Sequence, residues 1–252
     1  MKFETAMRWA TIVLVASSVV ASAAGKSGDK KDKDKAKPTS QTIDSGTFGV
    51  FVNGQRVVTE TFSVVQESGN SQIKAQLKET GGSTQKSDLE ITSSGELLHY
   101  EWSQPSGGSV IVVPNNDFLL EKITPANGAK TAEKPFLMPS TSSILDNNFF
   151  VHREVLVWRY LSADCRPEGG DLKCQSGPAE FGTLVPQDQN SASVRLELIG
   201  KEKVTFHGAE RELLRLNLSG ENFQWALWVD LKDHYKLMRV TIPADNTEVV
   251  RD

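Results

Sequence analysis

Short segments in which apolar and polar residues alternate recur along most of the chain, and this pattern predicts β-strands. The clearest pair flanks Asn53-Gly54, a dipeptide typical of a type I′ hairpin turn. Clusters of Gly, Pro, Asn and Ser separate the further runs, and this arrangement is typical of an antiparallel meander. These runs lie at residues 71–79, 87–94, 96–104, 109–114, 117–124, 179–187, 192–208 and 210–220, with a turn expected near Gly200-Lys201 in the longest.

One segment, from about residue 142 to 162, is the only convincing helix in the sequence. Ser143 is its expected N-cap, and Asp146 stands at the capping-box position three residues later. Its polar residues do not gather on one side of a helical wheel, and a helix that is apolar nearly all round is expected to be enclosed. Because strands precede and follow it, we predict a mainly β fold in which a curved or rolled antiparallel sheet encloses this long apolar helix.

The segment from Asn222 to Val240 carries two tryptophans, two aspartates and a histidine close together. Trp225 and Trp228 are three residues apart, so in a strand they point to opposite faces of the sheet. Asp230 and His234 fall at the turn that follows, where polar residues are expected in any hairpin. We therefore interpret the segment as a strand–turn–strand unit, with a catalytic Asp–His pair as the alternative.

The N-terminal part of the chain differs from the rest in composition. Residues 1–23 resemble a secretory signal peptide, with early basic residues, an apolar run and a small-residue cleavage site at Ala21–Ala23. An uncleaved anchor is the alternative. Residues 24–41 have no hydrophobe larger than alanine and are predicted to be a disordered Lys/Asp-rich tether. Residues 42–252 are predicted to form a single β-rich domain with the helix at its centre.

Charge separates the tether from the domain. The tether holds six lysines and three aspartates between Lys26 and Lys37, which is typical of a solubilising spacer; attraction to an anionic membrane or polymer surface is the alternative. Residues 38–252 carry 20 Lys and Arg against 28 Asp and Glu. An acidic domain without a basic patch argues against nucleic acid as a partner.

The two cysteines, Cys165 and Cys174, bracket a short segment that contains glycine. In an exported protein such a pair is expected to form a disulfide. No second pair of Cys or His lies at ligand spacing, so we expect no metal site. Together with the signal peptide, the pair predicts an exported protein of the bacterial periplasm or cell envelope.

Motifs of common enzymes are missing from the sequence, including those of serine hydrolases, zinc peptidases and nucleotide-binding loops. We therefore expect no catalytic residues and no cofactor. Two polar residues within apolar patterns have open interpretations. Glu60 is a site carboxylate or a member of a cross-strand charge pair, and His152 is an internal polar switch or a satisfied buried histidine.

Three segments, VNGQRVVTETF, LDNNFFVHREVLVWRYL and LWVDLKDHYKLMRVTIP, together resemble a group of uncharacterised exported bacterial β-roll proteins. The resemblance covers most of residues 46–250. The strand–helix–strand order is also distantly similar to the periplasmic lipoprotein-localisation carriers, whose curved sheets shelter an apolar cavity beside a helix. That likeness implies binding of a lipid or acyl chain, although a helix this apolar is expected to occupy part of the cavity itself.

The leading hypothesis is therefore an exported envelope protein that binds an apolar ligand, or an envelope partner, along a curved sheet without catalysis. The alternative is an assembly or scaffold protein with a filled core, and a hydrolase is the third hypothesis. Aromatic side chains are the expected lining of a ligand site. The candidates are Phe149, Phe150, Trp158, Trp225 and Trp228 for the lining, and His152, Asp230 and His234 for its polar groups.

Overall fold

The computed structural model describes residues 40–252, of which 63% lie in strands and 9% in helical segments. The mainly β fold expected from the sequence is therefore confirmed. The expected signal peptide and nearly all of the expected tether lie outside the described residues. Ser40 and Gln41, assigned above to the tether, are the first residues of a strand.

The N-terminal half of the domain is a run of consecutive antiparallel strands. They are β1 (Ser40–Val52), β2 (Gln55–Glu67), β3 (Asn70–Glu79), β4 (Thr84–Thr92), β5 (Leu97–Ser103), β6 (Ser109–Asn115), β7 (Phe118–Thr124) and β8 (Ala132–Phe136). Asn53 and Gly54 connect the first two with φ of 50° and 79°, as a type I′ turn requires, so the predicted hairpin is confirmed.

The C-terminal half contains the helix and a second antiparallel meander. Its elements are β9 (Ser143–Ile144), α1 (Val151–Asp164), β10 (Cys165–Glu168), β11 (Asp171–Cys174), β12 (Ala179–Val185), β13 (Asn190–Phe206), β14 (Ala209–Ser219), β15 (Gln224–Asp230), β16 (Lys236–Ile242) and β17 (Thr247–Arg251). A small hairpin of β10 and β11 is joined at its base by the Cys165–Cys174 disulfide, which confirms the predicted pairing.

One sheet of 15 strands contains every strand except β10 and β11. The first meander runs outward from β1 to β8, and the second runs outward from β17 to β12 and β9. They meet where β1 pairs antiparallel with β17, so the first and last strands of the domain are neighbours at the middle of the sheet. Within residues 40–252 the sheet is open, with β8 and β9 as its edges.

Two expectations about local structure are wrong. The helix begins at Val151 rather than near residue 142, and Ser143 lies in β9, which pairs parallel with β12. The expected turn near Gly200 is instead a bulge inside the continuous strand β13, where the register against β14 shifts between Leu198 and Gly200. Gly200 has a φ of 139°, which lets the strand continue through the irregularity.

Hydrophobic side chains pack in one large cluster that includes α1 and the sheet face beneath it, which we call the helix-bearing face. A second, small cluster around Trp228 lies on the opposite face of β13 to β16. Within residues 40–252, no helix is long and apolar enough to cross a membrane.

Candidate functional site

The start of α1 is fixed by a carboxylate from the sheet. Glu60 on β2 is buried, and its Oε2 and Oε1 accept hydrogen bonds from the backbone N–H groups of Phe150 at 2.7 Å and Val151 at 3.1 Å. Backbone N–H groups at a helix start have no partner within the helix, so this carboxylate acts as the cap. Burial raises the pKa of Glu60 to about 7, although the two N–H donors oppose the increase.

Asp146 belongs to a buried cluster of hydrogen-bonded polar residues and does not begin the helix. Its carboxylate accepts hydrogen bonds from the Tyr100 hydroxyl, from Gln187 Nε2 at 2.5 Å and from the backbone N–H of Asn148 at 2.7 Å. Burial, and then the negative charge of Asp146, raise the pKa of the Tyr100 hydroxyl. The backbone around Asp146 forms a non-helical turn, which allows these hydrogen bonds. The capping box expected at Ser143 and Asp146 therefore does not form.

Charged residues also anchor the first turns of α1 to the middle of the sheet. Glu154 Oε1 accepts a hydrogen bond from the backbone N–H of Leu237 at 3.2 Å and lies 3.5 Å from Arg251 Nη1. Arg251 in turn contacts Asp44 at 2.6 Å. Arg153, also buried, donates from Nη1 to the carbonyl of Phe149 at 2.6 Å, and burial lowers its pKa to about 10. The first turn of α1 is therefore buried with its charged side chains as well as its apolar ones.

A cavity of about 290 Å³ lies between α1 and strands β2 to β5. Its buried wall is mainly apolar, and hydroxyl groups surround its solvent-facing end. The buried wall includes Leu89, Leu97, Ser142, Ile144, His152 and Leu156. Seven apolar residues share the lining with ten polar ones, six of which are serines, and the volume is near the lower end of the range usual for small-molecule sites.

His152 is the unusual residue of this wall. The side chain is buried, and neither ring nitrogen has a hydrogen-bond partner within residues 40–252. Its ring stands edge-on to Tyr100, with centroids 5.9 Å apart. Burial lowers the pKa of His152 to about 4, so the imidazole is neutral at neutral pH. Both ring nitrogens are enclosed by protein atoms, so the neutral imidazole keeps one donor and one acceptor unpaired in the interior.

Two other depressions fit a ligand less well. The larger, about 500 Å³, lies over strands β2 to β5 and is open to solvent; Lys74 and Asp88 in its lining pair with each other at 3.8 Å. The other, about 310 Å³, surrounds the disulfide. The space beside α1 is the one that contains a buried polar side chain with two unpartnered atoms, His152.

The aromatic candidates from the sequence separate into different environments. Trp158 lines the cavity, with its Nε1 donating to the carbonyl of Tyr235 at 3.1 Å. Phe149 and Phe150 are buried in the main core and do not line the cavity. Trp225 packs against that core on the helix-bearing face, whereas Trp228 belongs to the small cluster on the opposite face. The two tryptophans therefore do not form a common surface.

Asp230 and His234 lie near the turn between β15 and β16 and are not part of the cavity lining. Asp230 Oδ1 accepts a hydrogen bond from the backbone N–H of Lys232 at 2.8 Å. The exposed His234 ring lies 3.3 Å from Asp233 instead. The described contacts bring no nucleophile to either residue, and both stabilise or flank the turn.

Several residues of the site had no clear signal in the sequence. Tyr100 occupies an ordinary strand position, and Arg159 is a polar residue of a helix already assigned. Glu121 on β7 is buried with both carboxylate oxygens unpartnered within residues 40–252, and burial raises its pKa to about 7. An acidic residue inside the apolar run FLLEKI was the available signal for Glu121.

No protein-family model matches the chain, and neither a curated protein nor a solved structure shows significant similarity to it.

Proposed function

We propose that this protein is an exported cell-envelope protein that binds a lipid or acyl chain in the cavity beside α1, without catalysis. The observation that carries the proposal is the cavity of about 290 Å³ beside α1, whose buried wall is mainly apolar. Trp158 and the leucines of the buried wall supply the apolar contact.

We further infer that the sheet is rolled around α1. The edge strands β8 and β9 are separated by six residues, 137–142, which span at most about 24 Å. In a flat sheet of 15 strands, about 4.8 Å apart, these edges would lie about 67 Å from each other. Two contacts support the same curvature: Leu97 donates to the carbonyl of Ser140 at 2.7 Å, and Lys134 to that of Gln189 at 2.7 Å.

The size of the cavity restricts the ligand. One water molecule takes about 30 Å³ in the liquid, so about 290 Å³ accommodates on the order of ten non-hydrogen atoms. That is enough for one short acyl chain and too little for a lipid with two long chains. We therefore favour a single-chain ligand, or one chain of a larger lipid whose remainder stays outside.

Export is supported by the signal-like residues 1–23 and by the disulfide, since disulfides persist in oxidising compartments. The Lys-rich tether would hold the domain near an anionic membrane surface, where lipids are available. A spacer without affinity for the membrane is the alternative role of this segment.

Titration calorimetry with 1-octanol, a neutral single-chain probe of suitable size, tests the proposal. We expect a dissociation constant below about 1 mM for the native chain. Val155→Trp fills the cavity and should abolish binding, because Val155 lines it. Val113→Trp is the matched control, since Val113 is also half-buried but lies outside the cavity lining. Absence of octanol binding to the native chain, or equal binding to both variants, would contradict the proposal.

An assembly or scaffold role is the second candidate, and one surface feature favours it. Leu137 is 92% exposed and directly follows β8, whose outer edge has no neighbouring strand within the described residues. An exposed edge next to an apolar side chain suits the addition of a partner strand. Cross-linking in envelope extracts should then recover a defined partner that Leu137→Asp loses and Leu98→Asp keeps.

A further inference from the structure

One face of α1 runs along the length of the cavity. His152, Val155, Leu156 and Arg159 stand at i, i+3, i+4 and i+7, which places them on the same side of the helix, and all four line the cavity. With a rise of about 1.5 Å per residue, His152 and Arg159 are about 10 Å apart along the helix axis. Apolar Val155 and Leu156 lie between these two polar positions.

Among residues 40–252, Arg159 is the only charged residue in the cavity lining. Its Nη1 donates to Ser143 Oγ at 2.8 Å, and its guanidinium stands over the Phe181 ring at 5.6 Å. No carboxylate of residues 40–252 lies within 4.0 Å of it, so this half-buried charge has no ionic partner there. Burial lowers the pKa of Arg159, which is the expected effect of an environment that disfavours its charge.

In the part of the chain that the structure describes, the opposite end of this helix face offers no accessible charged or histidine atom. His152 is 1% exposed, and both of its ring nitrogens are enclosed by protein atoms. A ligand that lies along the helix therefore contacts Val155 and Leu156 through apolar groups.

From this arrangement we infer that the ligand is a single-chain carboxylate of about eight carbons, with its carboxylate at Arg159 and its alkyl chain along Val155 and Leu156. The inference rests on the proposed function and specifies the ligand of the same cavity. A carboxylate fits better than a phosphate monoester because its single negative charge matches one guanidinium, whereas the phosphate carries about −1.5 to −2 at neutral pH. Arginine also binds carboxylates through two parallel hydrogen bonds.

Four probes of equal chain length test the carboxylate end: octanoate, 8-hydroxyoctanoate, 1-octanol and octylamine, each titrated calorimetrically into the full chain at pH 7.5. Octanoate should bind at least tenfold more tightly than octanol, and octylamine more weakly than octanol. In Arg159→Gln the preference for octanoate over octanol should disappear. Arg159→Lys keeps the charge and should retain the preference.

The apolar end is tested by the same series. We expect 8-hydroxyoctanoate to bind more weakly than octanoate to the native chain, because the ring nitrogens of His152 are enclosed and cannot pair with its terminal hydroxyl. Tighter binding of 8-hydroxyoctanoate would overturn the assignment of an apolar end.

The outcomes separate this inference from the function on which it rests. If octanol binds but octanoate binds no more tightly, the carboxylate assignment is overturned and the apolar cavity remains supported. If none of the four probes binds, the proposed function fails, and the inference fails with it.

Discussion

Glu121 provides a sharp test of the buried charges in this fold. It lies on β7 with no exposed surface, and neither carboxylate oxygen has a hydrogen-bond partner within residues 40–252. The nearby Lys134 opposes the effect of burial only in part, and its Nζ donates to the carbonyl of Gln189 instead. Burial without a partner raises the pKa of Glu121 from 4.5 to about 7. The substitution Glu121→Gln removes the ionisable group and keeps the shape of the side chain.

The expected magnitude follows from this pKa difference between folded and unfolded chains. Below pH 4.5 the carboxyl is protonated in both states and favours neither. Between pH 4.5 and pH 7 the unfolded chain releases the proton first, so the free energy of unfolding falls as the pH rises. At about 1.4 kcal/mol per pKa unit, the loss reaches about 3 kcal/mol above pH 7. Glu121→Gln has no carboxyl group at this position, so its free energy of unfolding does not fall in this way as the pH rises.

Urea unfolding followed by tryptophan fluorescence at pH 4, 5.5, 7 and 8 measures the difference. The variant should match the native chain at pH 4 and be more stable by up to about 3 kcal/mol at pH 8. Other titrating groups are present in both proteins and cancel in the difference. Glu133→Gln is the matched control, because Glu133 is an exposed neighbour whose pair with Lys122 is worth at most about 1 kcal/mol. A difference that does not change with pH would refute the reasoning.

The other predictions concern the helix cap, the cavity wall and the disulfide. Glu60→Ala leaves two buried N–H donors without an acceptor and should lower the free energy of unfolding by about 2–5 kcal/mol in urea titrations; a loss under about 1 kcal/mol would contradict the cap. Trp158→Phe should remove the fluorescence change caused by octanol, whereas Trp228→Phe, on the opposite sheet face, should keep it. Replacing Cys165 and Cys174 by serine should cost about 2–3 kcal/mol under oxidising conditions, and unchanged stability would show that the link is dispensable.

Most strands could be predicted because the alternation that defines them is local. The Asn53-Gly54 turn and the opposite orientations of Trp225 and Trp228 follow from residues within a few positions of each other. The short, polar strands β8 to β11 give too few residues for a periodic signal, and the bulge at Gly200 has the same glycine signature as a turn.

The start of α1 could not be predicted, because the deciding interaction is remote in the sequence. Glu60 caps the helix from 90 residues away, and Asp146 is held by Tyr100 and Gln187 from other parts of the chain. A capping-box pattern at Ser143 and Asp146 is therefore outweighed by tertiary hydrogen bonds. These bonds form only once the sheet positions their donors and acceptors.

The cavity shows the same limit on sequence reasoning. Trp158 and His152 were identified because aromatic and titratable side chains on an apolar helix are informative by themselves. Arg159 was not identified, since an arginine on a helix normally pairs with a carboxylate or points into solvent. Its importance depends on the absence of a nearby carboxylate within residues 40–252, and only the packed structure contains that information.

Binding in the cavity beside α1 is tested most directly by native mass spectrometry of the full chain, expressed with its predicted signal peptide and purified without detergent. Bound ligand should appear as excess mass that organic extraction releases as a single-chain amphiphile, and Val155→Trp should carry none. Val113→Trp should carry the same excess mass as the native chain. If the native chain has only its own mass and gains none when octanol or octanoate is added, the cavity does not bind such ligands and the account is wrong.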